Sequence, residues 1–300
     1  MVSFNQALVS LLAVFPKSLV ARIAMRYVAG ETLPEAVHTV RRLNRQGFSA
    51  TLDILGENTT SREKALTVTR SYLHLYDVIR REGLDSSVSV KLTHLGLGFD
   101  DTLAETCLME IVDKARQHGN FLRIDMENSP YTDRTLDLYR KCLRQYAGVG
   151  PVLQAYLKRS RSDLSALVGR KFNVRICKGI YNESPAIALM DRQEIRHNFI
   201  YLVQKALEGD SYVGIATHDT YLIDSLETWI ENRQISRNRY EFQVLYGVPM
   251  GDRLKSLLAG NHRVRVYVPY GEEWYPYATR RLKENPKIAR YILKDLSRIK

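Results

Sequence analysis

In this 300-residue sequence, the segment Trp274-Tyr275-Pro276-Tyr277-Ala278-Thr279-Arg280-Arg281-Leu282-Lys283-Glu284-Asn285-Pro286 is the most informative stretch for chemistry. Pro276 is tolerated in the first turn of a helix, and Asn285-Pro286 fits an N-cap and first position opening a second helix. Between them, Tyr277, Arg280, Arg281 and Glu284 share one helical face by their three- and four-residue spacings. A tyrosine, two guanidiniums and a carboxylate can enclose a small zwitterion. Arginine forks match a carboxylate, while Glu284 can hold an arginine in place or face an ammonium. The same spacing also describes a solvent-facing helix crossed by i,i+4 ion pairs, and spacing alone does not separate the two.

Further candidates sit at the ends of short β-prone runs. Lys91 stands between Val90 and Leu92, where an unpaired ammonium would be costly to bury. Its neighbour must be a polar cavity or a carboxylate, with Asp125 as the candidate partner. A single Lys–Asp pair of this kind is structural as often as catalytic. Arg175 and Lys178 close one run, and two cations there invite an anionic ligand. Gln154 and Tyr156, Tyr181, Thr217-His218-Asp219, Gln243 and Tyr246, and Tyr267 occupy corresponding places. His218 alone reads as a hydrogen-bonded core histidine. Asp125, Glu127 and His218 make no recognisable metal-ligand pattern, and no metal is expected.

The elements that must carry these residues follow from periodicity. Apolar, β-prone runs begin at Ser49 to Leu55 and recur at Ser87 to His94, Phe121 to Met126, Pro151 to Tyr156 and Asn173 to Lys178. The last three are Tyr212 to His218, Tyr240 to Tyr246 and Arg263 to Val268, and a helix-like segment follows each run. Eight strand–helix units in series predict parallel strands, because each crossover needs a helix. Over about 250 residues they fit a closed (β/α)8 TIM-like barrel, with an open doubly wound sheet as the alternative. Residues 1–48 read as a helical segment packed on the barrel, and residues 49–300 as the barrel itself. Active sites of this fold lie at the C-terminal strand ends, where the polar residues above accumulate.

Composition narrows the class. A hydrophobic fraction of 45% provides a large core and excludes a disordered chain. Cys107, Cys142 and Cys177 are odd in number and lack C-x-x-C spacing, so neither a disulfide framework nor a zinc site is expected. The formal charge of +11 favours anionic partners, although the basic residues are spread along the chain. The apolar run Ala7 to Phe15 is too short to span a bilayer and has no basic residue before it.

Taken together, these pieces resemble the proline dehydrogenase family. The resemblance covers about residues 30–296. It is carried by Val90-Lys91-Leu92, Arg123-Ile124-Asp125-Met126-Glu127, Leu153-Gln154-Ala155-Tyr156-Leu157, Val174-Arg175-Ile176-Cys177-Lys178-Gly179, Ala216-Thr217-His218 and Glu241-Phe242-Gln243-Val244-Leu245. Tyr267-Val268-Pro269 and the Tyr277, Arg280-Arg281, Glu284-Asn285 series complete it. Order and spacing make the set specific, whereas each piece alone is weak. The resemblance implies FAD over the barrel mouth and oxidation of L-proline to 1-pyrroline-5-carboxylate by hydride transfer to flavin N5. It places Asp125 as the active-site acid and Arg175 beside N5. It assigns Arg280 and Arg281 to the proline carboxylate, with Lys91 extending that charge and Glu284 supporting the arginines. Leu245, Tyr267 and Tyr277 become walls around the ring. Met126, Gln154, Cys177, Lys178, Gly179, Thr217 and His218 become FAD contacts. FAD held in this way needs no G-x-G-x-x-G turn, and Gly96-x-Gly98 matches that fingerprint only in part.

Three positions depart from the family habit: Asp219 stands for Asn, Tyr181-Asn182 replaces a Trp step, and Tyr246 replaces a frequent His. The resemblance further implies a membrane quinone as electron acceptor and a cytoplasmic location with peripheral contact on the inner membrane face. The chain is too short for the aldehyde dehydrogenase half of bifunctional relatives, so a separate pyrroline-5-carboxylate dehydrogenase is expected. Two other readings compete. A methylenetetrahydrofolate reductase shares barrel and cofactor but does not account for the Tyr-x-x-Arg-Arg helix. A nucleic-acid-binding module would use the net charge, but the bases here are interleaved with acids, and no nucleic-acid partner is expected.

Overall fold

A computed structural model describes residues 26–167 and 172–277. Eight parallel strands form a closed barrel in sequence order: β1 (Ser49–Ile54), β2 (Ser86–Val90), β3 (Leu122–Ile124), β4 (Val149–Gln154), β5 (Asn173–Cys177), β6 (Tyr212–Ala216), β7 (Tyr240–Leu245) and β8 (Val264–Tyr270). The ring closes where β1 pairs with β8, from Ser49 opposite Arg265 to Ile54 opposite Tyr270. Each run expected to be a strand contains one. The second is shorter than its apolar pattern, however. It ends at Val90, and Lys91 caps a 3-10 turn over Leu92–Leu95. Thr93 and His94 therefore belong to a loop, because Glu127 accepts from the Thr93 amide and hydroxyl and pulls that segment off the ladder.

The outer helices are α1 (Leu33–Arg45), α2 (Arg62–Arg81), α3 (Asp101–Gln117), α4 (Thr132–Gln145), α5 (Ser160–Ser165), α6 (Arg192–Glu208), α7 (Thr220–Asn232) and α8 (Arg253–Ala259). Their starts are written locally. Ser61 accepts from the Lys64 amide, Asp100 from Leu103, and Asp191 from Gln193 and Glu194, satisfying donors that the first turn leaves unpaired. Thr32 and Glu35 form a reciprocal cap on α1. Before α1 the chain lies along the end of β8, with the Ala29 amide donating to the Pro269 carbonyl at 2.8 Å. Beyond β8, residues 274–277 are helical, and the expected Arg280, Arg281 and Glu284 lie outside the described residues.

Alternation along the strands splits the core in two. Ala50, Leu52, Val88, Val90, Leu122, Ile124, Val174, Ile176, Ile215, Phe242 and Val266 belong to one continuous apolar cluster with the helices. The barrel interior is polar instead of the usual layers of branched side chains. Thr51, Ser87, Arg123, Arg175, Glu241, Gln243 and Arg265 line an internal cavity of about 130 Å³. Arg123 is buried there and donates to the Pro151 and Asn173 carbonyls at 2.9 and 3.0 Å. Burial and the charge of Arg175 bring its pKa down to about 9. Cys107, Cys142 and Cys177 form no disulfide among the described residues.

Candidate active site

Strands β1, β2, β3, β5 and β8 bring six polar side chains into one network, Asp53, Ser89, Lys91, Asp125, Arg175 and Tyr267. Asp125 follows β3 directly, its amide donating to the Val90 carbonyl at 2.9 Å. Its Oδ1 accepts from Ser89 Oγ at 2.6 Å and from Arg175 Nη1 at 2.7 Å. Its Oδ2 accepts from the Tyr267 hydroxyl at 2.9 Å. Burial, with the neighbouring Asp125 and Asp53 charges, raises the Tyr267 phenol well above its ordinary value, so it remains a donor. The Arg175 guanidinium carbon also lies 5.2 Å from the Tyr267 ring centroid, within cation–π range.

Lys91 pairs with Asp53, not with Asp125: Nζ donates to Asp53 Oδ2 at 2.7 Å. Burial opposes the ammonium, but the Asp53 and Asp125 charges outweigh it and raise the Lys91 pKa. Asp53 is fully buried, and its Oδ1 has no hydrogen-bond partner among the described residues. Asp53 is not among the strand-end candidates above, although its place two residues after Thr51 puts both on the inner face of β1. Lys91, Arg175, Asp53 and Asp125 balance one another, two charges of each sign. His94, by contrast, is pushed down to about 3 by burial and by Lys91, and is a neutral packing residue.

A second cluster forms at the ends of β4, β5 and β6. Gln154 is buried and donates to the Glu127 carbonyl at 2.9 Å, with Met126 buried beside Glu127 in sequence. Cys177 is half-buried at the end of β5. Gly179 has φ +104, and a Cβ there would stand 2.0 Å from the Tyr156 ring, so glycine is required for Tyr156 to close over the loop. His218 Nε2 accepts from the Leu245 amide at 2.9 Å, which puts the proton of the neutral ring on Nδ1. Thr217 Oγ1 accepts from the Asp219 amide at 3.1 Å. Tyr277 is buried and close enough to Tyr267 to influence its ionisation electrostatically.

A profile of the proline dehydrogenase family matches residues 36–292. The chain belongs to this family. It is 38% identical over 273 residues to proline dehydrogenase 1 of Bacillus subtilis strain 168, covering 91% of this chain and 90% of that one. It is 35% identical over 279 residues to the proline dehydrogenase of Deinococcus radiodurans, covering 91% of this chain and 90% of that one. The bifunctional protein PutA of Escherichia coli is 28% identical over 308 residues, 87% of this chain but 23% of PutA. Among solved structures, PutA from Bdellovibrio bacteriovorus superposes with a TM-score of 0.82 at 24% identity, over 88% of this chain and 33% of that one, which shows the shared barrel. The chain is thus an oxidoreductase of proline catabolism.

Within this family context the departures acquire neighbours. Asp219 receives Arg196 Nε and Nη2, each at 2.8 Å, and pairs with Lys178. Burial raises its carboxyl, but Arg196 and Lys178 outweigh burial and hold it at about 2. Tyr246 accepts from Arg42 of α1 at 2.7 Å. Tyr181 is close enough to Lys91 to act on it electrostatically. Asp219→Asn is expected to cost about 1–2 kcal/mol at neutral pH, allowing for solvent screening. Because the folded pKa is depressed from 3.8, the carboxylate's contribution is complete above that value and lost as pH falls toward 2. Urea unfolding should therefore show a gap between wild type and variant that narrows below pH 4. A gap that widens on acidification refutes the assignment.

Proposed function

We propose that this chain oxidises L-proline to 1-pyrroline-5-carboxylate with non-covalent FAD at the barrel mouth. The observation that most supports this is the anchored Arg175. Its Nε and Nη1 are committed to Gln243 and Asp125, while Nη2 donates to no described residue. A guanidinium held rigid with one nitrogen to spare suits the acceptor edge of a flavin ring. The donors at the other strand ends, Gln154, Lys178, Thr217 and His218, are of the right chemical type for the remaining ring and phosphate oxygens, with Met126, Cys177 and Gly179 beside them. FAD, when bound, supplies the two-electron acceptor, taking a hydride at N5 from the ring carbon next to the proline nitrogen.

In this reading the protein's work is alignment and charge placement. Arg280 and Arg281 grip the substrate carboxylate, Glu284 holds them, and Lys91 extends the positive field. Leu245, Tyr267 and Tyr277 wall the ring. Asp125 fixes Arg175 and Tyr267 together. The substrate amine must lose its proton before or during transfer, so turnover rises with pH. A membrane quinone would take the electrons, and a separate dehydrogenase would consume the pyrroline-5-carboxylate. No helix among the described residues is long and apolar enough to cross a membrane; contact with the inner face of the cell membrane is proposed to be peripheral.

The visible spectrum of the purified protein tests this. Flavin bands should be present and should bleach anaerobically on addition of L-proline, and acid precipitation should release FAD. Release of FMN, or folded protein without flavin, refutes the cofactor. Flavin left oxidised by L-proline refutes the substrate.

A further inference from the structure

Below the mouth, a buried column continues downward from Arg175. Arg175 Nε donates to Gln243 Oε1 at 2.6 Å, and Gln243 Nε2 donates to Glu241 Oε1 at 2.6 Å. The same Glu241 oxygen accepts from Arg265 Nε at 2.7 Å. We propose that Glu241 and Gln243 are positioning residues for the reaction at the mouth, Glu241 acting through Gln243 to set the orientation of the Arg175 guanidinium. The proposal rests on the reading that Arg175 meets the cofactor.

The polarity of an amide is the heart of it. Gln243 can turn either its oxygen or its NH2 toward Arg175, and the NH2 would oppose the guanidinium donor to donor. An ionised carboxylate only accepts, so Glu241 compels the NH2 of Gln243 to face itself. The oxygen must then face Arg175. Glu241 stays ionised because Arg265 outweighs the effect of burial and lowers its pKa. With Nε so fixed from below and Nη1 fixed by Asp125, the guanidinium plane has one setting.

Gly214 on β6 supplies the space. Its φ is ordinary, but a Cβ there would stand 2.5 Å from Gln243 Nε2. Beneath the column lies the 130 Å³ cavity that Gln243, Glu241 and Arg265 help to line. A Gln243 amide released from Glu241 therefore has room to turn, so its orientation depends on the carboxylate as well as on packing.

The test is Glu241→Gln, with the exchange Glu241→Gln/Gln243→Glu beside it. Glu241→Gln allows the Gln243 amide to flip. Flavin reduction by L-proline at saturation should slow about 10-fold per bound flavin, with the proline half-saturation concentration changed less than about 2-fold. The exchange restores an acceptor to Arg175, since the residue 241 amide then donates to the residue 243 carboxylate, and it should recover most of the rate. Should the charge change prevent folding, Gly214→Ala pushes on Gln243 without altering charge and should slow reduction in the same way. Glu241→Gln and Gly214→Ala enzymes with wild-type rates per flavin overturn the proposal, as does an exchange that recovers nothing. A purely structural counter-ion role for Glu241 would lower the unfolding midpoint and leave the rate per flavin untouched. A wild type that L-proline does not reduce refutes the underlying functional reading, and the proposal with it. A wild type that is reduced, with variants that match it, refutes the column alone.

Discussion

Asp125→Ala is expected to lower kcat/KM for L-proline by about 100-fold or more, the scale on which small misplacements of reacting groups act. The reason is that three donors converge on one carboxylate: Ser89 and Arg175 on Oδ1, and Tyr267 on Oδ2. Removing it frees the end of Arg175 and the phenol together. It also leaves a buried guanidinium without its counter-charge, which costs roughly 3–5 kcal/mol in comparable pairs. Asp125→Asn keeps the shape but turns one of its two acceptor positions into a donor, so at least one of the three partners faces an NH2. A loss of about 10-fold is expected there. Stopped-flow flavin reduction, normalised to bound flavin, measures both. Reduction within about 2-fold of wild type in Asp125→Ala would remove Asp125 from the chemistry and leave it a structural role.

Arg281→Met is expected to keep FAD bound while crippling proline oxidation. Charge-assisted hydrogen bonds contribute roughly 1.5–3 kcal/mol each. Losing one should cost on the order of 10- to 150-fold in kcat/KM, and more where proline then settles in an unreactive pose. Arg281→Lys should not rescue fully, because an ammonium cannot reproduce the paired fork. Carboxylate-bearing ring analogues should lose affinity in parallel with proline. A solvent-facing helix makes the opposite forecast, near-normal kinetics and a stability change within about 0.5 kcal/mol. Steady-state kinetics of the Arg280→Met and Arg281→Met enzymes, with flavin content measured first, decides between the two.

The order of the elements was legible because each obeys a local rule. The apolar runs at 49, 87, 121, 151, 173, 212, 240 and 263 all became strands, within a few residues at either end. Where the structure departs from the local pattern, a tertiary partner is responsible. Val90-Lys91-Leu92 has the look of continuous strand, but Glu127, from the next strand end, captures Thr93 and turns the chain into a 3-10 loop. Likewise Asp125 was the natural partner for Lys91 by neighbouring strand, while the nearer carboxylate is Asp53 on the other side, 2.7 Å away. Lateral distance around a barrel depends on strand stagger, which sequence order does not contain.

By itself, the sequence determined the barrel, the family and the residue types gathered at the strand ends. Hydrophobic period, crossover length and motif order are all properties of the chain read in one dimension. The tertiary structure alone decided which charge meets which. Asp125 draws its three donors from positions 89, 175 and 267, and the path from Arg175 through Gln243 to Glu241 joins β5 to β7 across the barrel interior. Hydrogen bonds act over about 3 Å, so they register only when closure of the ring brings distant strand ends together.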